Sequence, residues 1–158
     1  MVTGEFVLQW LHIIVSIFWF GSVLFTDLVL MPGIAKMSPA GQMEFGVNVG
    51  SRVSRIMIPA AVLSIGLGVV RGITSGDITS VDDVFGTTYG LAWLVALVAS
   101  LATFAWGLFL LTPAVEGVAT ASTPEAAVAG IARIKTLVMI ELAGFLVIFT
   151  TMIVMHYA

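Results

Sequence analysis

The chain has 158 residues, 59% hydrophobic and 9% charged, with a mean hydropathy of +1.14. A soluble domain carries about 25% charged residues, so too little charge is present for a water-facing surface, and lipid must be the solvent of a single domain, residues 1–158. The net charge of −3 argues against nucleic acid as a partner, and the lack of cysteine excludes disulfides, thiolate metal sites and cysteine nucleophiles.

The N-terminus lacks Lys and Arg, and its first apolar run is too long for the core of a secretory leader, so no cleavable signal peptide is expected. A hydrocarbon core of roughly 30 Å takes about 20 apolar residues as helix. Four stretches meet that length, predicting transmembrane helices near 6–30, 53–73, 89–112 and 132–157. The runs are apolar on both parities, whereas the strands of a membrane barrel would alternate. The expected fold is therefore all-α: an integral membrane four-helix bundle, up-down-up-down.

Helix one carries a polar seam. Glu5, Gln9, His12, Ser16 and Trp19 follow one another at helical spacing, Val23 interrupts, and Asp27 resumes the series. At about 100° per residue these positions share a strip roughly 80° wide. Polar groups facing lipid are costly, so the strip is expected to face the other helices. Ser16 and Thr26 suit helix–helix hydrogen bonds. Asp27 is level with Arg52 and Arg55 at the start of helix two, which predicts an ion pair between the helices. His12 lies about 10 Å below the helix start. Neutral imidazole is a good ligand for iron, copper or zinc, which makes His12 a candidate metal ligand or proton relay.

Helix two brings Pro59, a candidate kink, and Gly66 and Gly68, candidate close-contact positions. The Asp-rich loop from Thr74 to Thr88 has apolar residues, Ile78, Val81, Val84 and Phe85, suited to resting on the membrane surface. Tyr89 and Trp93, at the start of helix three, read as an interfacial aromatic belt. Helix four carries Glu141, Phe145, Phe149, Met152 and His156 on one ridge, with Gly144 as a further close-contact position. Glu141 is an intramembrane carboxylate, read either as a functional group or as the partner of Lys135, Arg133 or Arg55. Phe145 and Phe149 suit either plain packing or the wall of a flat cofactor. His156 ends on the same side as His12, to snorkel at the interface or to join His12 as a haem ligand, with Met152 or Met155 as thioether alternatives.

The first and third connections hold Lys36, Arg52, Arg55, Arg133 and Lys135, whereas the second holds Arg71 beside Asp77, Asp82 and Asp83. The positive-inside rule then places both basic connections in the cytoplasm and both termini outside a plasma membrane. Ser38-Pro39 and Thr123-Pro124-Glu125 pair a capping hydroxyl with a proline at the first helical position, so helices two and four are expected to start before the bilayer. Pro32 to Arg52 spans the same interval as Pro113 to Arg133, which suggests two related helical hairpins.

Trp10-Leu11-His12-Ile13-Ile14, followed by Trp19 and Gly21, resembles the first helix of the copper-resistance protein D family (CopD-like proteins) and of the related HemJ-type protoporphyrinogen oxidases. Arg52 with Arg55, and Thr87-Thr88-Tyr89-Gly90, look closer to the copper-resistance branch. The resemblance implies haem or copper at His12. The HemJ type has a lysine within helix three, and Leu91–Leu111 has none.

The expected function is a membrane protein binding b-type haem through His12, with Trp19, Met152 and His156 nearby, serving electron transfer or as an accessory subunit. If it is an enzyme, it is a haem-dependent membrane oxidoreductase. Copper handling, with His12 and His156 as metal ligands, is the second reading. A cofactor-free structural subunit is the third. Asp27, Arg52, Arg55 and Glu141 are further polar groups of interest. The expected partners are the lipid bilayer and either a second copy of the chain or other membrane subunits.

Overall fold

The computed structural model describes residues 2–45, 48–49 and 51–158. Among these every regular element is helical: α1 (Val2–Phe25), α2 (Met31–Ile34), α3 (Pro39–Phe45), α4 (Ser51–Thr74), α5 (Val81–Gly86), α6 (Thr88–Trp106), α7 (Thr112–Ala119) and α8 (Pro124–Tyr157). Single π-helical turns join α1 to α2 (Thr26–Leu30) and α6 to α7 (Gly107–Leu111). Four spans are long and apolar enough to cross a membrane: Gly4–Ile34, Arg55–Thr74, Thr88–Val118 and Val128–Tyr157. The outward faces carry large apolar side chains, Phe6, Ile17, Val62 and Leu146 among them. That is the pattern expected where lipid, not water, covers the surface. The fold is thus an all-α four-helix membrane bundle.

Its two closest helix pairings are α1 with α4 and α6 with α8, so each hairpin packs first on itself. The backbones come close because one face of α4 is stripped to Ala60, Ser64, Gly68 and Gly72, a small residue at every fourth place. On α6 the buried residues are likewise small: Gly90, Ala92, Ala96, Ser100 and Thr103. Of the glycines expected at close contacts, two hold that role. A Cβ on Gly68 would meet the His12 ring at 3.0 Å, and one on Gly144 would strike the Thr103 side chain. Gly66 differs, because it faces open space. The helix α4 runs through Pro59.

The two π turns have a common cause. Proline has no N–H and clashes with the carbonyl four residues back. Pro32 and Pro113 each stand two residues beyond a π turn, and the carbonyls they would crowd, of Leu28 and Phe109, lie inside the turns. The backbone N–H of Met31 instead reaches Thr26 O, and that of Thr112 reaches Gly107 O. Thr26, Pro32 and Arg52 match Gly107, Pro113 and Arg133 at one constant offset, so the hairpin repeat extends to a shared backbone irregularity.

Both proline-started segments are helical. Thr123 caps α8 by accepting from the Ala126 N–H, and α8 runs unbroken to Tyr157. Ser38 Oγ accepts from the Gly41 N–H at the start of α3. Whether α3 runs on into helix two falls on residues 46, 47 and 50, outside the described part. The loop after α4 folds into α5, closed by a capping box between Ser80 and Asp83. Val81 and Phe85 are exposed there, as a membrane-surface role requires, but Ile78 is buried under the loop.

Two outcomes follow from this packing. A methyl at Gly144 collides with a stiff β-branched neighbour inside the bundle, so Gly144→Ala is expected to destabilise by about 1–3 kcal/mol. Gly66→Ala is expected to be neutral or to stabilise by up to about 1 kcal/mol. Reversible unfolding in mixed micelles compares the two, and equal effects would refute the assigned packing. Separately, Asp83 accepts hydrogen bonds from the Thr79 hydroxyl (2.8 Å), the Thr79 N–H (2.9 Å) and the Ser80 N–H (2.8 Å). These bonds, those from Thr79 foremost, hold its carboxyl down at about 2 from an ordinary 3.8. The folded value is the lower one, so the cap's contribution is complete above the ordinary value and is lost as pH falls towards about 2. The Thr79 and Ser80 amide resonances are expected to titrate with a midpoint near 2, and a midpoint near 4 would contradict the cap.

Candidate functional site

The seam on α1 does turn inward. Trp19, Val23 and Asp27 are buried, and His12 and Ser16 are half-buried. Val23, the apolar interruption, belongs to the same core cluster as Trp19. Glu5 is exposed, and Gly21, part of the helix-one motif, faces open space.

Polar contacts then tie α1 to α4 in order along the helix. Gln9 Oε1 accepts from the Arg71 guanidinium at 3.0 Å. The His12 Nδ1 lies 3.0 Å from the Ser64 carbonyl oxygen. Ser16 Oγ and Ser64 Oγ are 2.7 Å apart. A carbonyl can only accept, so His12 donates through Nδ1–H, and the unshared pair resides on Nε2. A ring fixed this way by a backbone carbonyl is the usual state of a metal-ligating histidine.

His12 lines a cavity of about 620 Å³ in the half of the bundle that holds the termini. His156, Met152, Met155, Arg71 and Trp93 line it too, so the structure gathers most of the residues singled out from the sequence. His156 is exposed at the C-terminal end, with its ring edge-on to Tyr157. Trp93 was expected in an interfacial belt. Its indole N–H instead points to the Gly68 carbonyl at 3.4 Å, and its ring packs on Gly72. At the hairpin offset Trp93 stands where His12 stands in the first hairpin. Both rings donate N–H to carbonyls of α4.

Trp19, Phe145 and Phe149 line this cavity, and Phe20 packs against the same cluster. Trp19 meets Phe145 edge-on at 4.9 Å, Phe20 meets Phe149 at 4.6 Å and Phe145 at 5.1 Å, and Phe145 stacks on Phe149 at 6.5 Å. Beyond them, towards the first and third connections, lies a second cavity of about 600 Å³. Trp19 lines both. Asp27 and Glu141 line only the second.

The ion pairs expected of these two acids do not account for them. Arg52 and Arg55 are exposed and outside the cavity lining, as are Arg133 and Lys135. Asp27 Oδ2 and Glu141 Oε2 are buried with no hydrogen-bond partner among the described residues. The basic side chains are turned to the surface of the bundle. Among the described residues no group of three or more His, Asp or Glu side chains is placed to hold a metal ion.

Comparison with protein-family models, curated proteins and solved structures finds no match.

The link between His12 and α4 depends on the bare backbone at Gly68. In Gly68→Ala the new methyl presses on the His12 ring at 3.0 Å. The ring is expected to leave the Ser64 carbonyl, so ¹⁵N spectra should change from a single Nδ1–H tautomer to a mixture. An unchanged tautomer would show that the geometry does not control it.

Proposed function

We propose that the chain is a multi-pass plasma-membrane protein, both termini outside, that binds a b-type haem through His12 and serves in electron transfer or as an accessory subunit of a membrane complex. The observation that carries this reading is the His12–Ser64 hydrogen bond at a cavity wall. It fixes the tautomer, directs the lone pair to Nε2 and raises its basicity. The cavity falls within the range of roughly 300–1,000 Å³ typical of small-molecule sites. Its aromatic and thioether lining suits a flat apolar macrocycle. Arg71, already held by Gln9, offers a cation for an acidic side arm. His156, Met152 and Met155 line the same space as candidate second ligands. When bound, haem supplies one-electron redox chemistry. The protein's part is to orient one imidazole and to exclude lipid and water. The five basic residues of the first and third connections, against Arg71 on the other side, support the orientation.

Copper handling is the second reading. Haem is favoured over it because the porphyrin brings four nitrogen donors and asks one or two of the protein, and among the described residues no group of three His, Asp or Glu side chains is placed to hold a bare ion. The resemblance of helix one to the copper-resistance D family suits either metal.

The expected outcome is a coloured protein from haem-replete cells with a Soret band that His12→Ala abolishes. His156→Ala or Met152→Ala is expected to shift the band if that residue is the second ligand. A colourless wild-type protein refutes haem binding. Copper by elemental analysis of that protein would support the second reading, and neither metal would leave a structural subunit.

A further inference from the structure

The geometry points to a second binding site, independent of His12: the cavity holding Asp27 and Glu141 takes a lipophilic monovalent cation, an ammonium or phosphonium with apolar substituents. The two carboxyl groups come from different hairpins. Asp27 lies in the π turn that ends α1, and Glu141 on α8 rests over the matching π turn at Gly107. A Cβ on Gly107 would meet Glu141 Oε1 at 3.0 Å, so the glycine makes room for the carboxyl. Single π turns are frequent at functional sites.

Both acids are more than nine-tenths buried, at 8% and 6% exposure. Each aims one oxygen at nothing that donates to it. Leaving a buried acceptor unpaired is costly, and more so for a charged group. The two carboxyls line the same cavity. The charged side chains lining this cavity are Asp27, Glu141 and, at its exposed rim, Glu116. Among the described residues no cationic side chain lines the cavity, so a cation that pairs with these acids has to be a ligand.

The walls decide which cation. Trp19, Phe104, Met57 and Leu108 are among the lining residues, and polar groups are few. A small inorganic ion wants several oxygen donors gathered around it, and these walls, with Glu116 out at the rim and Thr26 and Thr112 as the hydroxyls beside the two carboxyls, are otherwise almost wholly apolar. A cation spread over apolar substituents gains from burial of those substituents and from aromatic faces near its charge. A volume of about 600 Å³ accommodates such a molecule.

The test is equilibrium dialysis of radiolabelled tetraphenylphosphonium against the purified full-length protein in detergent. Saturable binding near one equivalent per chain is expected. Asp27→Asn and Glu141→Gln, close in shape to the native residues, should each weaken it at least tenfold. Glu125→Gln removes an exposed acid outside the cavity and should leave binding intact. Should either carboxamide variant fail to fold, Leu108→Trp offers a second probe, filling the cavity with both acids in place and lowering binding. No saturable binding to the wild type overturns the proposal. So does binding that survives the double substitution of Asp27 and Glu141. The Soret band, read on the same samples, is expected to persist in Asp27→Asn and Glu141→Gln, so this test and that of the haem reading fail separately.

Discussion

The interior of this bundle depends on one contact, Trp19 of α1 against Phe145 of α8. Within each hairpin, small residues let backbones touch. Between α1 and α8 the backbones stay apart, and rings span the gap. An edge-on aromatic pair contributes about 0.5–1.5 kcal/mol beyond its buried area. Its larger consequence is geometric. A wide spacer at mid-depth props the hairpins open on either side of itself. Two cavities follow, one on either side of Trp19, which lines both.

Lipid gives the polar groups in these cavities their meaning. No water is available in the hydrocarbon core to satisfy a stray donor or acceptor. In the terminal half the protein answers with local partners: Gln9 with Arg71, His12 with the Ser64 carbonyl, Ser16 with the Ser64 hydroxyl. One nitrogen of His12 is thereby satisfied as a donor, and the lone pair is left on the other. In the opposite half the answer is incomplete, since one oxygen each of Asp27 and Glu141 stays unpartnered. The same solvent constraint gives one cavity that is preorganised and one that is electrostatically unfinished.

The four helices were legible because lipid writes length and hydropathy directly into sequence, and the seam because polar residues at helical spacing have one sensible direction to face. The gathering of His12, Trp19, Met152 and His156 followed from an even number of crossings and a shared depth. What failed had physical reasons. Matching Asp27 to Arg52 by depth ignored the angle about the helix axis, and the arginines turn to the surface. Trp93 was assigned to a belt by its position near a helix end, while Gly72 opens a berth for its ring inside. Gly66 and Gly68 differ by two residues and so by nearly half a turn, which puts only one of them in contact. A small residue at each of Ala60, Ser64, Gly68 and Gly72 was the signal that separates them. The π turns left a trace too, in Pro32 and Pro113 at matching places of the two hairpins, though proline alone predicts a kink or a break as readily as a π turn.

The repeat explains how two unlike cavities arise from one design. Both hairpins have a π turn at the same depth, yet only one turn carries an acid: Asp27 in the first, with Leu108 at its counterpart. Both present a ring to α4 at matching places, but one ring is His12 and the other Trp93. An imidazole fixed by a carbonyl keeps a lone pair; an indole fixed the same way keeps none. A symmetric pair would have made two equal half-sites on the bundle axis. Instead the imidazole stays with α1, the indole becomes cavity wall, and the acid in the first π turn shares its cavity with Glu141 of α8. The functional asymmetry of the molecule is therefore carried by side chains set on a nearly symmetric backbone.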